Sequence, residues 1–276
     1  MLYFVGLGLY DLEDLTLKGL KVLKRVNKIF IETYTSLLPS FSRTRLEELC
    51  GVEVIEVSRK DLEELNGEIV LSAAAKEDVA LVSPGDPFIA TTHITLRLEA
   101  ERRGIKTQVI HAPSVASTAI SSSGLQLYKF GKCVTIVFPE RRTGFLSDTP
   151  YEVLKDNLAR GLHTLFLLEI SVEENVYMRV SDALKLLFEM ERRREYGLIS
   201  NETLGIGLAR LGSPQQRIKA ASFARLIDEE LGPPPHSLII PGLLHPLEVE
   251  ALVTLHGCKE EEIKVWERRL RELKVI

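Results

Sequence analysis

The 276-residue chain is poor in the features that mark several classes of protein. Its three cysteines, Cys50, Cys133 and Cys258, lie far apart, which suits neither a disulfide framework nor a zinc site. No apolar run is long enough to cross a bilayer, and the first residues lack the pattern of a signal peptide. We therefore expect a cytoplasmic protein that has no membrane partner and no metal.

An excess of either charge is also missing. There are 35 Lys and Arg residues against 39 Asp and Glu residues, which gives a formal net charge of −4. Proteins that bind duplex nucleic acid normally carry a clear basic excess, so we expect no nucleic-acid partner. The chain has no GxSxG turn, no Walker lysine and no HExxH helix, which weakens the hydrolase, nucleoside-triphosphatase and metalloenzyme alternatives.

What the chain does contain is an alternation of short apolar runs and amphipathic segments. The predicted strands are Leu2–Val5, Lys28–Glu32, Val52–Val57, Val79–Ser83, Gln108–His111, Cys133–Phe138, Thr164–Ile170, Leu204–Ala209 and Ser237–Ile240. The predicted helices are Leu15–Val26, Thr91–Arg103, Tyr151–Arg160, Ser181–Arg194, Ala221–Leu231, Pro246–Gly257 and Lys259–Leu273. This alternation predicts an α/β fold made of two α/β domains with mainly parallel sheets. A proline directly after a strand suggests the boundary, with an N-terminal domain over 1–112 and a C-terminal domain over 113–276.

The first strand runs into a glycine turn that differs from a dinucleotide-binding turn. The segment Gly6-Leu7-Gly8-Leu9 has no third glycine, and the next helix begins only after three acidic residues, Asp11, Glu13 and Asp14. Phosphate sites place backbone N–H groups and a helix start directly at the anion, so this turn suits an adenosine-like ligand without phosphates. Glu32, at the end of the second strand, imitates the ribose-binding acid of a nicotinamide enzyme, which is a minor alternative.

Further turns follow predicted strands, where open α/β sheets bind their ligands. Asp86, in the turn Pro84-Gly85-Asp86-Pro87, offers a carboxylate to a ligand or stabilises its own turn. Ser114 begins a stretch of small residues that allows close ligand contact, or tight packing of a helix on a sheet. The turn over 205–212 offers main-chain groups to the edge of an adenine. His236, which follows three prolines, is by its local sequence a structural histidine at a strand start.

Taken together and in order, these segments are similar to those of the tetrapyrrole methylase superfamily of S-adenosylmethionine enzymes. Within that superfamily the chain resembles the diphthine synthases through motifs at 6–11 (GLGLYD), 90–93 (ATTH), 111–114 (HAPS), 127–132 (LYKFGK), 161–164 (GLHT), 234–236 (PPH) and 241–242 (PG). The resemblance covers essentially the whole chain. The porphyrin-modifying branch carries Gly-Pro-Gly-Asp after its first glycine, where this chain has Leu7–Asp11, so a tetrapyrrole substrate is disfavoured.

The resemblance implies a methyltransferase that uses S-adenosyl-L-methionine and releases S-adenosyl-L-homocysteine. Its substrate would be translation elongation factor 2, methylated on the amine of an aminocarboxypropyl-histidine to give diphthine, the intermediate on the way to diphthamide. The resemblance also implies a homodimer whose cofactor lies in the cleft between the two domains. Carried over by position, the implied cofactor contacts are Leu9, Asp86, Ile89, Ser114, Val115, Leu168, Ala209 or Leu211, and His236.

Two alternatives stay open. One is a tetrapyrrole or ribosomal RNA methyltransferase of the same fold, and the other is a non-catalytic regulator that binds an adenosyl ligand. Methyl transfer from a sulfonium needs positioning more than covalent help, which is compatible with the absence of a nucleophile–base pair in the sequence. The sequence therefore identifies no catalytic residue.

Overall fold

The computed structural model describes residues 1–273; the last three residues of the predicted C-terminal domain, 274–276, lie outside the described residues. The chain forms two compact units. The first comprises Met1–Val115 and Ile170–Asn175, and the second comprises Ala116–Glu169 and the described residues from Val176 onward. The domain boundary after residue 112 stays a prediction. Within residues 1–273 no helix has the length and apolar character needed to span a membrane.

Strands and helices alternate along most of the chain. The strands are β1 (Leu2–Gly6), β2 (Lys28–Ile31), β3 (Val54–Glu56), β4 (Val79–Ser83), β5 (Thr107–Ile110), β6 (Val134–Ile136), β7 (Thr164–Leu168), β8 (Ile170–Ser171), β9 (Val176–Tyr177), β10 (Leu204–Ala209), β11 (Arg217–Ser222) and β12 (His236–Ile240). The α-helices are α1 (Leu17–Leu23), α2 (Arg43–Cys50), α3 (Glu68–Ala74), α4 (Ile94–Arg102), α5 (Val115–Ser123), α6 (Thr149–Leu158), α7 (Val180–Arg194), α8 (Phe223–Leu226), α9 (Pro246–His256) and α10 (Glu260–Glu272).

The first unit is built on a five-stranded sheet in the order β3-β2-β4-β1-β5, in which every neighbouring pair is parallel. The central strands β1 and β4 pair from Leu2 opposite Val79 to Gly6 opposite Ser83, and both are buried along their whole length. Continuous apolar runs are what a strand covered on both faces requires. The predicted parallel α/β architecture is confirmed for this unit.

The side chains of β1 enter two different apolar clusters, because successive side chains of a strand point to opposite faces. Tyr3 and Val5 pack in a cluster with buried side chains of α1 and α2. Leu2 and Phe4 join a second cluster that contains buried side chains of α3 and α4. Since helices cover both faces of the sheet, a functional site in this unit has to be built from the loops at the strand ends.

The second unit also contains a five-stranded sheet, in the order β11-β10-β12-β7-β6. Here the expectation of a mainly parallel sheet is wrong: only the β6–β7 pair is parallel, and the other three pairs are antiparallel. The short connection over 210–216 turns the chain back, so that β11 pairs antiparallel with β10. The other two antiparallel pairs arise because β12 runs opposite to both of its neighbours, β10 and β7. The predicted helix Ala221–Leu231 is also wrong in extent, because Arg217–Ser222 is a strand and α8 spans only Phe223–Leu226.

Candidate functional site

The loops after β1 and β4 lie at the switch point of the parallel sheet. These two strands are neighbours, yet β1 leads toward β2 on one side of the pair and β4 leads toward β5 on the other. In open α/β sheets such a point leaves a crevice at the carboxyl ends of the strands, which is where ligands bind. The topology therefore places the glycine turn that follows β1 beside the turn that carries Asp86.

The backbone amides of the glycine turn are already occupied by a carboxylate of the same loop. Oδ2 of Asp14 accepts hydrogen bonds from the N–H groups of Leu9, at 2.8 Å, and of Tyr10, at 2.9 Å. Gly8 has a φ of +85°, and a Cβ there would lie 2.1 Å from Cβ of Asp14, so only glycine lets the acidic loop fold back this closely. Asp14 therefore occupies two backbone amides of the kind that a phosphate would need.

The turns after β1 and β4 are tied to each other through their main chains. The N–H of Gly85 donates to the carbonyl of Gly8 at 2.6 Å, and the N–H of Gly8 donates back to Gly85 at 3.3 Å. Gly6 makes this approach possible, because a Cβ on Gly6 would lie 2.4 Å from the carbonyl oxygen of Gly85 and 2.7 Å from Cβ of Ala112. Three loops, after β1, β4 and β5, therefore meet at one edge of the sheet.

Asp86 lies where those loops meet, and its carboxylate is buried at 6% exposure. Its Oδ1 accepts a hydrogen bond from the N–H of Phe88 at 3.0 Å, which is the turn-stabilising role that Asp often has. Its Oδ2 lies 2.7 Å from Nδ1 of His111 and accepts from the N–H of Ala112 at 3.4 Å. Asp86 thus holds its own turn and also binds the segment that follows β5, which the sequence did not reveal.

The other predicted contacts of this unit occupy the same three loops. Leu9 follows β1, Ile89 follows β4, and Ser114 and Val115 follow β5. Ser114 is buried, whereas the side chain of Ile89 is exposed. Because β4, β1 and β5 are adjacent in the sheet, the structure brings these residues to one edge.

Glu32 does not have the surroundings of a ribose-binding acid. Its carboxylate is fully buried and accepts hydrogen bonds from the N–H of Thr35 at 3.1 Å and from the hydroxyl of Thr35 at 2.7 Å. Burial raises the pKa of Glu32 to about 7, because it disfavours the charged form more than the hydrogen bonds from Thr35 favour it. Nε2 of His93 lies 3.7 Å from Oε1, too far for a hydrogen bond, and burial lowers the pKa of His93. Glu32 is therefore not placed to bind a ribose, which removes the residue on which the nicotinamide alternative depended.

The predicted contacts of the second unit lie at one edge of its own sheet. Leu168 ends β7, Ala209 ends β10 and His236 begins β12, and these three strands are neighbours. Because β12 runs antiparallel to both, its first residue lies beside the last residues of the other two, and Ala209 is opposite His236. Leu211 follows within two residues of β10. All four side chains are buried, and three of them are aliphatic.

Both ring nitrogens of His236 are used by the main chain. Nδ1 accepts a hydrogen bond from the N–H of Val180 at 3.2 Å, and Nε2 lies 3.0 Å from the carbonyl oxygen of Gly232, to which it donates. Burial lowers the pKa of His236, which keeps the ring neutral. The hydrogen bonds of His236 agree with the structural role that its local sequence predicted. A ligand at this position would contact the carbon atoms of the ring.

A buried ionic network in the second unit was missed by the sequence analysis. Glu248 accepts hydrogen bonds from the N–H groups of Gln126, at 2.8 Å, and His245, at 2.7 Å. Its carboxylate also contacts the ammonium of Lys129 and Nε2 of His163, the latter at 3.1 Å. Burial alone would raise the pKa of Glu248, but these donors together lower it to about 2. The motifs at 127–132 and 161–164 are thereby joined through one side chain.

No group of three or more His, Cys, Asp or Glu side chains suited to a metal ion occurs in the part of the chain that the structure describes.

The chain matches the tetrapyrrole (corrin/porphyrin) methylases over residues 1–227. It is 44% identical over 254 residues to a diphthine synthase of Methanocaldococcus jannaschii, a match that covers 91% of this chain and 97% of that relative.

Further relatives agree. A diphthine synthase of Staphylothermus marinus is 44% identical over 262 residues, covering 94% of this chain and 95% of the relative. A crystal structure of a diphthine synthase superposes with a TM-score of 0.85 at 34% identity, covering 97% of this chain and 98% of that one. Likeness of sequence and fold therefore extends over nearly the full length.

Proposed function

The chain belongs to the tetrapyrrole methylase family and, within it, to the diphthine synthases, and from this premise we propose that it methylates translation elongation factor 2. The acceptor is the amine of an aminocarboxypropyl-histidine on that factor, and the product is the diphthine intermediate of diphthamide biosynthesis. The methyl donor is S-adenosyl-L-methionine, which leaves as S-adenosyl-L-homocysteine. The protein acts as a homodimer in the cytoplasm, without a nucleic-acid partner.

The observation that carries the choice of donor is the carboxylate of Asp14 on the amides of Leu9 and Tyr10. A nucleotide phosphate would have to displace this carboxylate, whereas a phosphate-free adenosyl sulfonium would not. A positive charge on the donor also suits a loop that carries Asp11, Glu13 and Asp14. The site thus favours the donor that the family uses over a nucleoside phosphate.

The donor contacts in the first unit are Leu9, Asp86, Ile89, Ser114 and Val115, which share one sheet edge. Asp86 engages the polar end of the donor, because each carboxylate oxygen can accept more than one hydrogen bond. The remaining side chains orient the donor, and the buried ones exclude water from it. S-adenosyl-L-methionine supplies a methyl group on a positively charged sulfur atom. The sulfur is a good leaving group, so methyl transfer needs no covalent help from the protein.

The contacts in the second unit are Leu168, Ala209, Leu211 and His236. Their buried, mostly apolar surface suits the flat ring of adenine, and main-chain groups near Ala209 to Leu211 hydrogen-bond its edge. His236 contributes ring carbons rather than a proton, since the main chain uses both of its nitrogens.

Transfer of labelled methyl groups tests the acceptor. The purified chain is incubated with labelled S-adenosyl-L-methionine and elongation factor 2 that carries the aminocarboxypropyl-histidine, with the unmodified factor as the control. Label only on the modified factor is the expected result. Label on a tetrapyrrole or on ribosomal RNA, or binding without transfer to any acceptor, would refute the assignment.

A competition experiment tests the donor separately. S-adenosyl-L-homocysteine should bind in calorimetry, and ADP should compete with it no better than adenosine does, because Asp14 occupies the amides that a pyrophosphate needs. Competition by ADP that clearly exceeds competition by adenosine would show that the turn accepts phosphate.

A further inference from the structure

We propose that His111 is the catalytic proton acceptor for the amine that receives the methyl group, and that Asp86 holds its ring in the required tautomer. This inference rests on the proposed function, because it assigns the proton step of methyl transfer to an amine. His111 was not among the site residues that the sequence suggested.

One end of the His111 ring is fixed and the other end is open. Nδ1 lies 2.7 Å from Oδ2 of Asp86, whose side chain is 7% exposed, while the side chain of His111 is 75% exposed. A buried carboxylate that orients a solvent-accessible imidazole is the arrangement by which proteins prepare a histidine for proton transfer. The geometry is therefore that of a base presented to a ligand.

The hydrogen bonds of Asp86 decide which ring nitrogen carries the proton. Its oxygens accept from the N–H groups of Phe88 and Ala112, so the carboxyl group is surrounded by donors and serves as an acceptor. Nδ1 of His111 therefore donates to Oδ2, and the lone pair of the neutral ring is on Nε2. Over residues 1–273, the charged partner that hydrogen bonds and ion pairs give to the His111 ring is the carboxylate of Asp86.

The proposed reaction needs such an acceptor. Reference amines have pKa values of about 8 to about 10, so an alkyl amine is mostly protonated at neutral pH and has no free lone pair. Nε2 of His111 takes one N–H proton of the ammonium group, and the freed lone pair forms a C–N bond to the donor methyl. The C–S bond breaks at the same time and leaves its electron pair on sulfur. The imidazolium, stabilised by Asp86, then releases its proton to solvent, and each further methylation of the nitrogen repeats the cycle.

The position of His111 supports this role better than that of the other titratable groups at the same sheet edge. His111 directly follows β5 and stands three residues before Ser114, a proposed donor contact. Glu32 is fully buried and His93 is 2% exposed, so neither can reach an acceptor carried by another protein. Asp11 and Glu13 in the loop after β1 are more accessible, but an ordinary carboxylate is a much weaker base than an imidazole. His111 is therefore the accessible group at this edge that is best suited to accept the proton.

The test compares His111→Gln with the unaltered protein in single-turnover methyl transfer to the modified elongation factor over a range of pH. General bases typically contribute about 100-fold or more, so we expect a loss of at least about tenfold near neutral pH. The rate of the variant should rise with pH until the amine deprotonates by itself, whereas the rate of the unaltered protein should level off at a lower pH. Added imidazole should restore part of the rate of His111→Gly.

Two readouts do not depend on turnover. In ¹⁵N NMR of the protein alone, the His111 ring should show a protonated Nδ1, and Asp86→Ala should abolish that preference. S-adenosyl-L-homocysteine should bind His111→Gln as tightly as it binds the unaltered protein. The matched control is Lys106→Gln, which changes an exposed residue just before β5, at the opposite end of the strand, and should leave rate and pH profile unchanged.

The outcomes separate this proposal from the proposed function. A His111→Gln variant with the full rate and the unaltered pH profile would remove the proton role while leaving the function intact. A tenfold loss of S-adenosyl-L-homocysteine affinity in that variant would make His111 a donor contact instead, and would also overturn the proposal. If the unaltered protein transfers no label to the modified factor, both the proposed function and the role of His111 are refuted.

Discussion

Replacing Glu248 with glutamine should destabilise the second unit in a way that depends on pH. The folded-state pKa of Glu248 is lowered to about 2 from an ordinary value of 4.5. A lowered carboxylate pKa contributes stability above the unfolded value, and that stability is lost as the pH falls from about 4.5 toward 2. A shift of about 2.5 units corresponds to about 3 kcal/mol at neutral pH, and about half of this remains near pH 3.

Urea unfolding of Glu248→Gln and of the unaltered protein, followed by circular dichroism from neutral pH to about pH 3, measures this difference. We expect Glu248→Gln to be less stable by about 3 kcal/mol at neutral pH, and the gap to narrow as the pH falls. The matched control is Glu250→Gln, which makes the same chemical change at an exposed position of α9 and should stay within about 0.5 kcal/mol at each pH.

The reasoning is refuted if the gap between Glu248→Gln and the unaltered protein is the same at both ends of the pH range. A constant gap would mean that the loss comes from packing of the side chain and not from its charge. A double variant with Lys129→Met checks the pairing, because removal of both partners should cost less than the sum of the two single losses.

Three further predictions concern the first unit. Burial raises the pKa of Glu32 to about 7, so the folded protein loses stability as the pH rises from about 4.5 through 7. In urea titrations, the free energy of unfolding of Glu32→Gln should increase by about 3 kcal/mol relative to that of the unaltered protein between about pH 4 and about pH 8. A difference in unfolding free energy that does not change with pH would contradict this prediction. Gly6→Ala should lower the melting temperature more than Gly85→Ala, because an added Cβ lies within 3 Å of two loops at Gly6, whereas at Gly85 it has open space and costs only the strain of a φ of +68°. A loss at Gly6 no larger than the loss at Gly85 would show that the loops can separate. Asp86→Ala should weaken the binding of S-adenosyl-L-homocysteine about tenfold or more in calorimetry. The control is Asp156→Ala, at an exposed position, and an unchanged affinity of Asp86→Ala would show that Asp86 does not contact the donor.

Strands with an uninterrupted apolar run could be predicted from the sequence. Val79–Ser83 and Leu204–Ala209 begin and end where the structure has them, because each run is buried along its length and bounded by residues that break the pattern. Arg217–Ser222 was missed because it lies at the edge of its sheet, where half-buried and charged residues interrupt the alternation. Helices at Arg43–Cys50 and Val115–Ser123 were missed because the first is short and strongly polar and the second is made of small residues.

The candidate site was predictable only where its residues follow a strand in the sequence. Asp86 and Ser114 were placed at the carboxyl edge of the sheet in this way, since a turn after an apolar run marks that edge. The partnership of Asp86 with His111 was not found, because it joins loops after two strands that are not neighbours and depends on the sheet order. The repulsion of phosphate by the acidic loop stays a prediction, and the hydrogen bonds that Asp14 accepts from the turn are a feature that no sequence pattern displays.

Gly6 links these observations. The loops after β4 and β5 flank β1, and they can meet over its end only if the residue there has no side chain, because a Cβ would lie within 3 Å of both loops. That meeting brings Oδ2 of Asp86 to the N–H of Ala112 and to the ring of His111. A glycine that resembles the start of a phosphate-binding turn thus has a different role in this fold: it lets a buried carboxylate reach across the central strand and contact an exposed imidazole beside the proposed donor contacts.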